Sequence, residues 1–244
     1  MVLLKQHMVL NGNIKMINNK IEKEPEFLLS LDVSTSTIGI ALFEDLGTEG
    51  KLVWLTHVSP KVKPQPESKT EELFRKIEIF ENEFLLKNHE LLGAKLKDLG
   101  ITRVVIEEPL LQSNNVYTIA TLLRFNGMIS KSVYDTLGVV PEFISSYDAR
   151  KYAFPELMAV RRFKKDGTPL NEKQIAKNQP VLFGAYDFDV DKKYVLWEKV
   201  SELEPLVTWF YDKNNKLKKE TFDTTDAYTA ARGYMNKIGI WKVA

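Results

Sequence analysis

"FLLSLDVSTSTIGIALFE", residues 27–44, is two apolar runs joined by a short hydroxyl-rich turn, with a carboxylate, Asp32, near its middle. Phe27–Leu31 and Ile38–Phe43 have the apolar density of central strands buried on both faces. An unpaired carboxylate inside such a strand is strongly disfavoured. Asp32 must therefore reach an exposed strand edge, find a cation, or be protonated. The cheaper use of an acid there is local: Asp32 could end the strand by accepting from the backbone amides of Ser34 or Thr35.

Composition limits the choices. A chain of 244 residues, 44% hydrophobic and 11% aromatic, has ample material for a core. With 34 Lys and Arg against 33 Asp and Glu, any nucleic acid must be met by a local patch and not by a bulk field. The absence of cysteine removes disulfides, thiolate zinc sites and cysteine nucleophiles. The three histidines, His7, His57 and His89, are scattered, which argues against a histidine metal site or a Ser-His-Asp triad. "MVLLKQHMVL" has neither a signal-peptide core nor transmembrane length, so the expectation is a cytoplasmic protein with no membrane partner.

Residues 1–26 read as an N-terminal tail, and 27–244 as a single domain. After the first two strands, Gly47 and Gly50 turn the chain into a third, "KLVWLTHV", completing a meander. Leu73, Ile77, Phe80, Phe84 and Leu85 are spaced for one face of a long helix over about 70–97. "ITRVVIEEP" is a fourth strand that ends on Glu107 and Glu108, stopped by Pro109. A helix over about 114–137 and a strand in "VVPEFIS" close a βαβ-like crossover. Residues 147–190 look like a loop-rich, basic insertion, carrying Arg150, Lys151, Arg161, Arg162, Lys164, Lys165 and Lys173. "DKKYVLWEKV" resumes helix, "YDKNNKLKKE" is a polar turn, and "TFDTTDAYTAARGYM" is a last helix with Thr221 or Thr224 as N-cap. Asp223 and Asp226 would then lie on one side of its first turn, where capping and the helix dipole alone would favour them.

The fold class expected is α/β: a mixed five-stranded sheet, a three-strand meander plus parallel strands, flanked by helices. Its acids fall at the ends of two strands, Asp32 and Glu107, and at the start of a late helix, Asp223 and Asp226. Hard oxygen ligands from non-adjacent elements at one end of a sheet suit a divalent-metal site. A pair of such ions supports phosphodiester hydrolysis.

In these motifs the chain resembles the RuvC-type Holliday-junction resolvases of the RNase H-like nuclease superfamily, possible sources including bacteriophages and large DNA viruses. The resemblance rests on "LSLDVSTSTIGIAL", "VVIEEP", "NNVYTIATLLRFNGMI" and "DTTDAYTAA", which together span most of 27–234. It implies that Asp32, Glu107, Asp223 and Asp226 are ligands for two Mg2+ or Mn2+ ions, with Asp32 bridging. "DKKYVLWEKV" is similar to a lysine-bearing helix of the family, which implies a catalytic place for Lys193 near the scissile phosphate; Lys173 is a weaker alternative. The implied function is endonucleolytic resolution of four-way DNA junctions by paired nicks, which calls for a homodimer; the apolar face of the 114–137 helix would be part of its interface or simply cover the sheet. The chain departs from the family after its second acid, where Pro109-Leu110-Leu111 replaces an aromatic wedge. The basic insertion, with Tyr152, Phe154 and Phe163, would be a phosphate-gripping arm or simply a charged surface loop. The alternatives are another RNase H-like nuclease acting on flaps, forks or RNA-DNA hybrids, an actin-like or sugar-kinase ATPase, and a non-catalytic nucleic-acid-binding module.

Overall fold

The computed structural model describes residues 25–63, 68–109 and 115–242. The expected tail, save its last two residues, and Leu110 and Leu111 lie outside the described residues. In chain order the elements are β1 (Glu26–Val33), β2 (Ile38–Asp45), β3 (Gly50–Val58), α1 (Lys69–Phe80), β4 (Asn88–His89), β5 (Ala94–Lys95), β6 (Ile101–Glu107), α2 (Val116–Leu137) and β7 (Glu142–Ile144). There follow α3 (Ser146–Ala153), β8 (Met158–Val160), α4 (Glu172–Ile175), β9 (Pro180–Leu182), α5 (Lys192–Leu203) and α6 (Lys219–Lys237).

The main sheet has the order β3-β2-β1-β6-β7. β1 and β2, and β2 and β3, pair antiparallel, whereas β6 joins β1 and β7 joins β6 in parallel. This is the mixed, five-stranded sheet expected of the sequence, a three-strand meander plus parallel strands. Strand side chains alternate between faces. Leu29, Leu31, Val33, Ile38, Ile40, Leu42, Val104 and Ile106 pack under α1 and α2. Leu28, Ala41, Phe43 and Val105 meet α3, α5 and α6. By the same alternation, Ser30, Asp32, Gly39 and Glu107 are on the α6 face.

Three local expectations are corrected. The helix read over 70–97 is α-helical only to Phe80 and widens into one π-type turn, Glu81–Leu85. A two-residue hairpin follows, turned at Gly93 with a positive φ of 63°. His89 there is a core residue, with Nε2 2.7 Å from the Phe84 carbonyl oxygen and its ring against Trp54. The basic stretch is more ordered than a loop: it holds α3, the β8–β9 hairpin and α4. Finally, α6 begins at Lys219, so neither threonine caps it. Thr221 Oγ1 instead binds the backbone of Phe210, and Thr224 Oγ1 donates to the Thr221 carbonyl.

Candidate metal and nuclease site

Asp32 and Glu107 come together because β1 and β6 run parallel in register, Leu31 beside Ile106, so that both acids project from the same end and face of the sheet. The β1–β2 turn does not need Asp32. It is closed by Ser34, whose backbone N donates to the Thr37 carbonyl (3.0 Å) and whose Oγ accepts from the Thr37 amide (3.1 Å). That disposes of the local use of the acid.

Directly opposite Asp32 in the β1–β2 register is Gly39. A Cβ at Gly39 would lie 2.1 Å from the Asp223 carbonyl oxygen. Only a glycine lets the α6 backbone press onto the sheet here, and that contact carries Asp223 to the strand acids. A second close approach holds α3 on α6: a Cβ at Gly233 would lie 2.2 Å from the Ala149 carbonyl oxygen. Because α6 starts four residues before Asp223, the two helix aspartates sit beyond the first turn, where dipole and capping do not account for them. Both are buried, 3% and 4% exposed.

Two cations meet this cluster. Lys193, in the first turn of α5, reaches Asp226 Oδ2 at 3.1 Å and Asp223 Oδ1 at 3.8 Å. Arg150, on α3, places Nη2 3.4 Å from Asp226 Oδ1, and its Nε is buried without a partner. Burial first, and then the charges of Asp226 and Asp223, hold the Asp32 carboxyl well above the ordinary carboxylate range; Lys193 and Arg150 offset this only in part. Glu107 is raised likewise by burial, then by Asp226 and Asp32, and Asp223 is raised chiefly by burial. For Lys193, burial opposes the charge, but attraction to Asp226 and Asp223 outweighs it and the pKa rises.

Ionised together, the four acids would outnumber the cations that act on them, Lys193, Arg150 and Lys219, in a poorly solvated place, and Asp223 Oδ2 is buried with no hydrogen-bond partner. An oxygen-rich donor set short of positive charge fits hard divalent cations. In this conformation no three His, Asp or Glu side chains among the described residues are gathered closely enough to chelate one ion. Lys193 bridges the helix aspartates instead. Its side chain is 47% exposed.

The other expected site residues divide into two groups. Arg150 belongs to the acid cluster and not to the outer surface. Arg162, Lys164, Lys165 and Lys173 are exposed, Arg161 and Lys151 half-buried, and none makes an ion pair among the described residues. Residues 158–178 carry six cations and two acids, a local charge of +4 in a chain of net charge +1. Of the aromatic residues expected in the arm, Phe154 is in the core. Tyr147 and Phe188 are exposed rings of this stretch, and Phe188 has the Arg161 guanidinium 5.5 Å and Lys165 Nζ 6.0 Å from its centroid. Sequence reading passed over Phe188 because nothing in periodicity separates it from a core phenylalanine. It also missed Lys219, whose Nζ donates to Ser36 Oγ (2.9 Å) and ties α6 to the β1–β2 turn.

No protein-family model and no curated protein sequence matches the chain. Among solved structures it is similar to Thermus thermophilus RuvC, with 12% identity and a TM-score of 0.46, over 88% of this chain and 97% of that one. It is similar to T. thermophilus RuvC in complex with a Holliday junction substrate, with 10% identity and a TM-score of 0.48 over the same shares. The yeast mitochondrial Holliday junction resolvase aligns with 9% identity and a TM-score of 0.44, over 86% of this chain and 77% of that one. At this distance the residue assignments rest on the chain's own geometry, not on these likenesses.

Proposed function

We propose that the protein is a metal-dependent, structure-selective DNA endonuclease whose substrate is the four-way junction. The observation that carries the reading is the gathering of Asp32, Glu107, Asp223 and Asp226 at one end of the sheet, with Lys193 and Arg150 as the cations that meet them. Asp32, Glu107, Asp223 and Asp226 would hold two Mg2+ or Mn2+ ions. When bound, such ions supply a water of lowered pKa and stabilise charge on the leaving oxygen. Asp32 and Glu107, fixed by the sheet, set the position of the site, and α6 brings the other two acids. Lys193 has two roles in sequence: it neutralises Asp223 and Asp226 while the site is idle, then turns its ammonium to a phosphate oxygen of the substrate. Arg150 holds Asp226 in place and has unused donors for the same phosphate.

Arg161, Arg162, Lys164, Lys165, Lys173 and Lys151 form the phosphate-gripping surface. Paired nicks call for two copies of the site, and the dimer proposed uses the outer side of α2. Phe125, Ile129 and Val133 of that helix cover the sheet, while Val116, Tyr117, Leu123 and Tyr134 are exposed. No helix among the described residues is long and apolar enough to cross a membrane.

The test is cleavage of a labelled synthetic four-way junction beside linear duplex, flap and RNA-DNA hybrid, with Mg2+ or Mn2+ and then with EDTA. Paired nicks across the junction that vanish with EDTA are expected. A preference for flap or hybrid would keep the nuclease and change its substrate, and ATP hydrolysis without cleavage of any substrate would overturn the reading.

A further inference from the structure

The connection from α5 to α6 reads in sequence as a polar turn, but it is folded and anchored beside the acid site. Tyr211 and Leu217 form an antiparallel bridge. Asp212 Oδ1 accepts from the backbone N of Asn214 (2.7 Å) and of Lys216 (2.9 Å), and Asn215 takes the left-handed conformation with φ 62°. The base of this hairpin is fixed by Phe210, whose ring lies edge-on to His57 at 4.6 Å, and by the bonds of Thr221 to the Phe210 backbone. His57 pairs with Gly39 in the sheet, so the hairpin rises from the same end as the acids.

Its outer side is basic and next to it is an aromatic row. Lys213, Lys216 and Lys218 are exposed and make no ion pair among the described residues; of the acids flanking them, Asp212 is committed to the turn and Glu220 lies in the first turn of α6. Trp209 packs on Trp197 at 6.3 Å, and Trp197 on Tyr194 at 5.0 Å. Tyr194 directly follows Lys193 and is 43% exposed. One turn apart on α5, Trp197 Nε1 and Ser201 Oγ are buried with no hydrogen-bond partner. Uncommitted lysines beside a stacking surface are the elements of a single-strand site: ammonium groups follow the phosphates while a ring face takes a base. A duplex offers no free base face, so the row suits an unpaired strand.

We propose that Tyr194, with the Trp197–Trp209 pair behind it and Lys213, Lys216 and Lys218 alongside, holds an unpaired DNA strand as it leaves the acid site. The direction of the strand rests on the nuclease reading; the binding itself does not. The test uses the full chain in EDTA, titrated with oligothymidylate of about 12 nucleotides, within the range covered by one single-strand site, and with a matched duplex. Tryptophan emission should be quenched by the single strand and not by the duplex. Tyr194→Ala should weaken oligothymidylate binding by about 5- to 100-fold, with Tyr194→Phe restoring it. Replacing Lys213, Lys216 and Lys218 by Ala should lower the slope of log affinity against log salt by about 2. Unchanged emission together with full affinity in Tyr194→Ala would overturn the proposal, even if junctions are cleaved. Quenching and a Tyr194 effect in a protein that cleaves no DNA would sustain this contact while the nuclease reading fails.

Discussion

The two faces of the sheet are built from the same strands and do opposite work. On the face under α1 and α2, the strands contribute Leu29, Leu31, Val33, Ile38, Ile40 and Leu42, a hydrocarbon layer. The face under α6 carries Ser30, Asp32, Gly39 and Glu107, opposite a helix that buries Asp223, Thr224, Thr225, Asp226 and Thr229. Both faces bury apolar side chains, but only the α6 face gives up part of that stability to concentrate carboxylates. Residues that alternate along one strand therefore answer to different pressures, and substitutions on the two faces should fail in different ways.

The largest contrast is in chemistry. Asp32→Asn should lower junction cleavage by on the order of 10³-fold or more while junction binding persists; loss of binding and folding together would make Asp32 a structural residue. Leu29→Ala, on the other face, should cost about 2–5 kcal/mol of unfolding free energy, read by denaturant melts, with cleavage per folded molecule unchanged. Gly39→Ala joins the two kinds of failure, because its new methyl would strike the Asp223 carbonyl. It should cost about 1–3 kcal/mol and also abolish cleavage, and an active, stable Gly39→Ala would break the account of how α6 docks.

A smaller effect lies in the pH dependence of metal-free protein. Asp32 and Glu107 titrate higher in the folded chain than in the unfolded one. The folded state then binds more protons between those values, so stability falls as pH rises from the unfolded carboxylate range through the raised folded values. Asp32→Asn should flatten that fall, and thermal melts of the two proteins at a series of pH values would show it. The least effect on stability is expected from replacing Arg161, Arg162, Lys164 and Lys165 by Ala. That variant should fold normally and lose up to about 4 from its salt slope for DNA; an unchanged slope would make the insertion a bystander.

Much of this was legible because strand chemistry is local. The apolar runs around Asp32 and before Glu107 forced the question of what those acids meet, and parallel pairing of β1 with β6 answers it. The helix acids were legible as a pair, but not their position: the start of α6 is set by the Phe210–Thr221 contact, which is tertiary. Likewise the helical rise goes no further than Leu85, where His89 folds back on Phe84 and Trp54, a packing event that 3.6-residue periodicity does not carry. Arg150 read as one surface cation among several. Its distinction is that Gly233 lets α3 sit close on α6, turning its guanidinium inward. The α5–α6 hairpin looked like a solvated turn because its lysines are ordinary in sequence and acquire neighbours only when Phe210 docks on His57.

The central claim is that Asp32, Glu107, Asp223 and Asp226 hold divalent cations, and the most direct measurement is calorimetric titration of the metal-free protein with Mn2+. Saturable binding of up to two ions per chain, lost in an Asp32→Asn, Glu107→Gln double variant that still melts cooperatively, is the result predicted. Binding undiminished in that variant, or no saturable binding by the unaltered chain, would contradict the account.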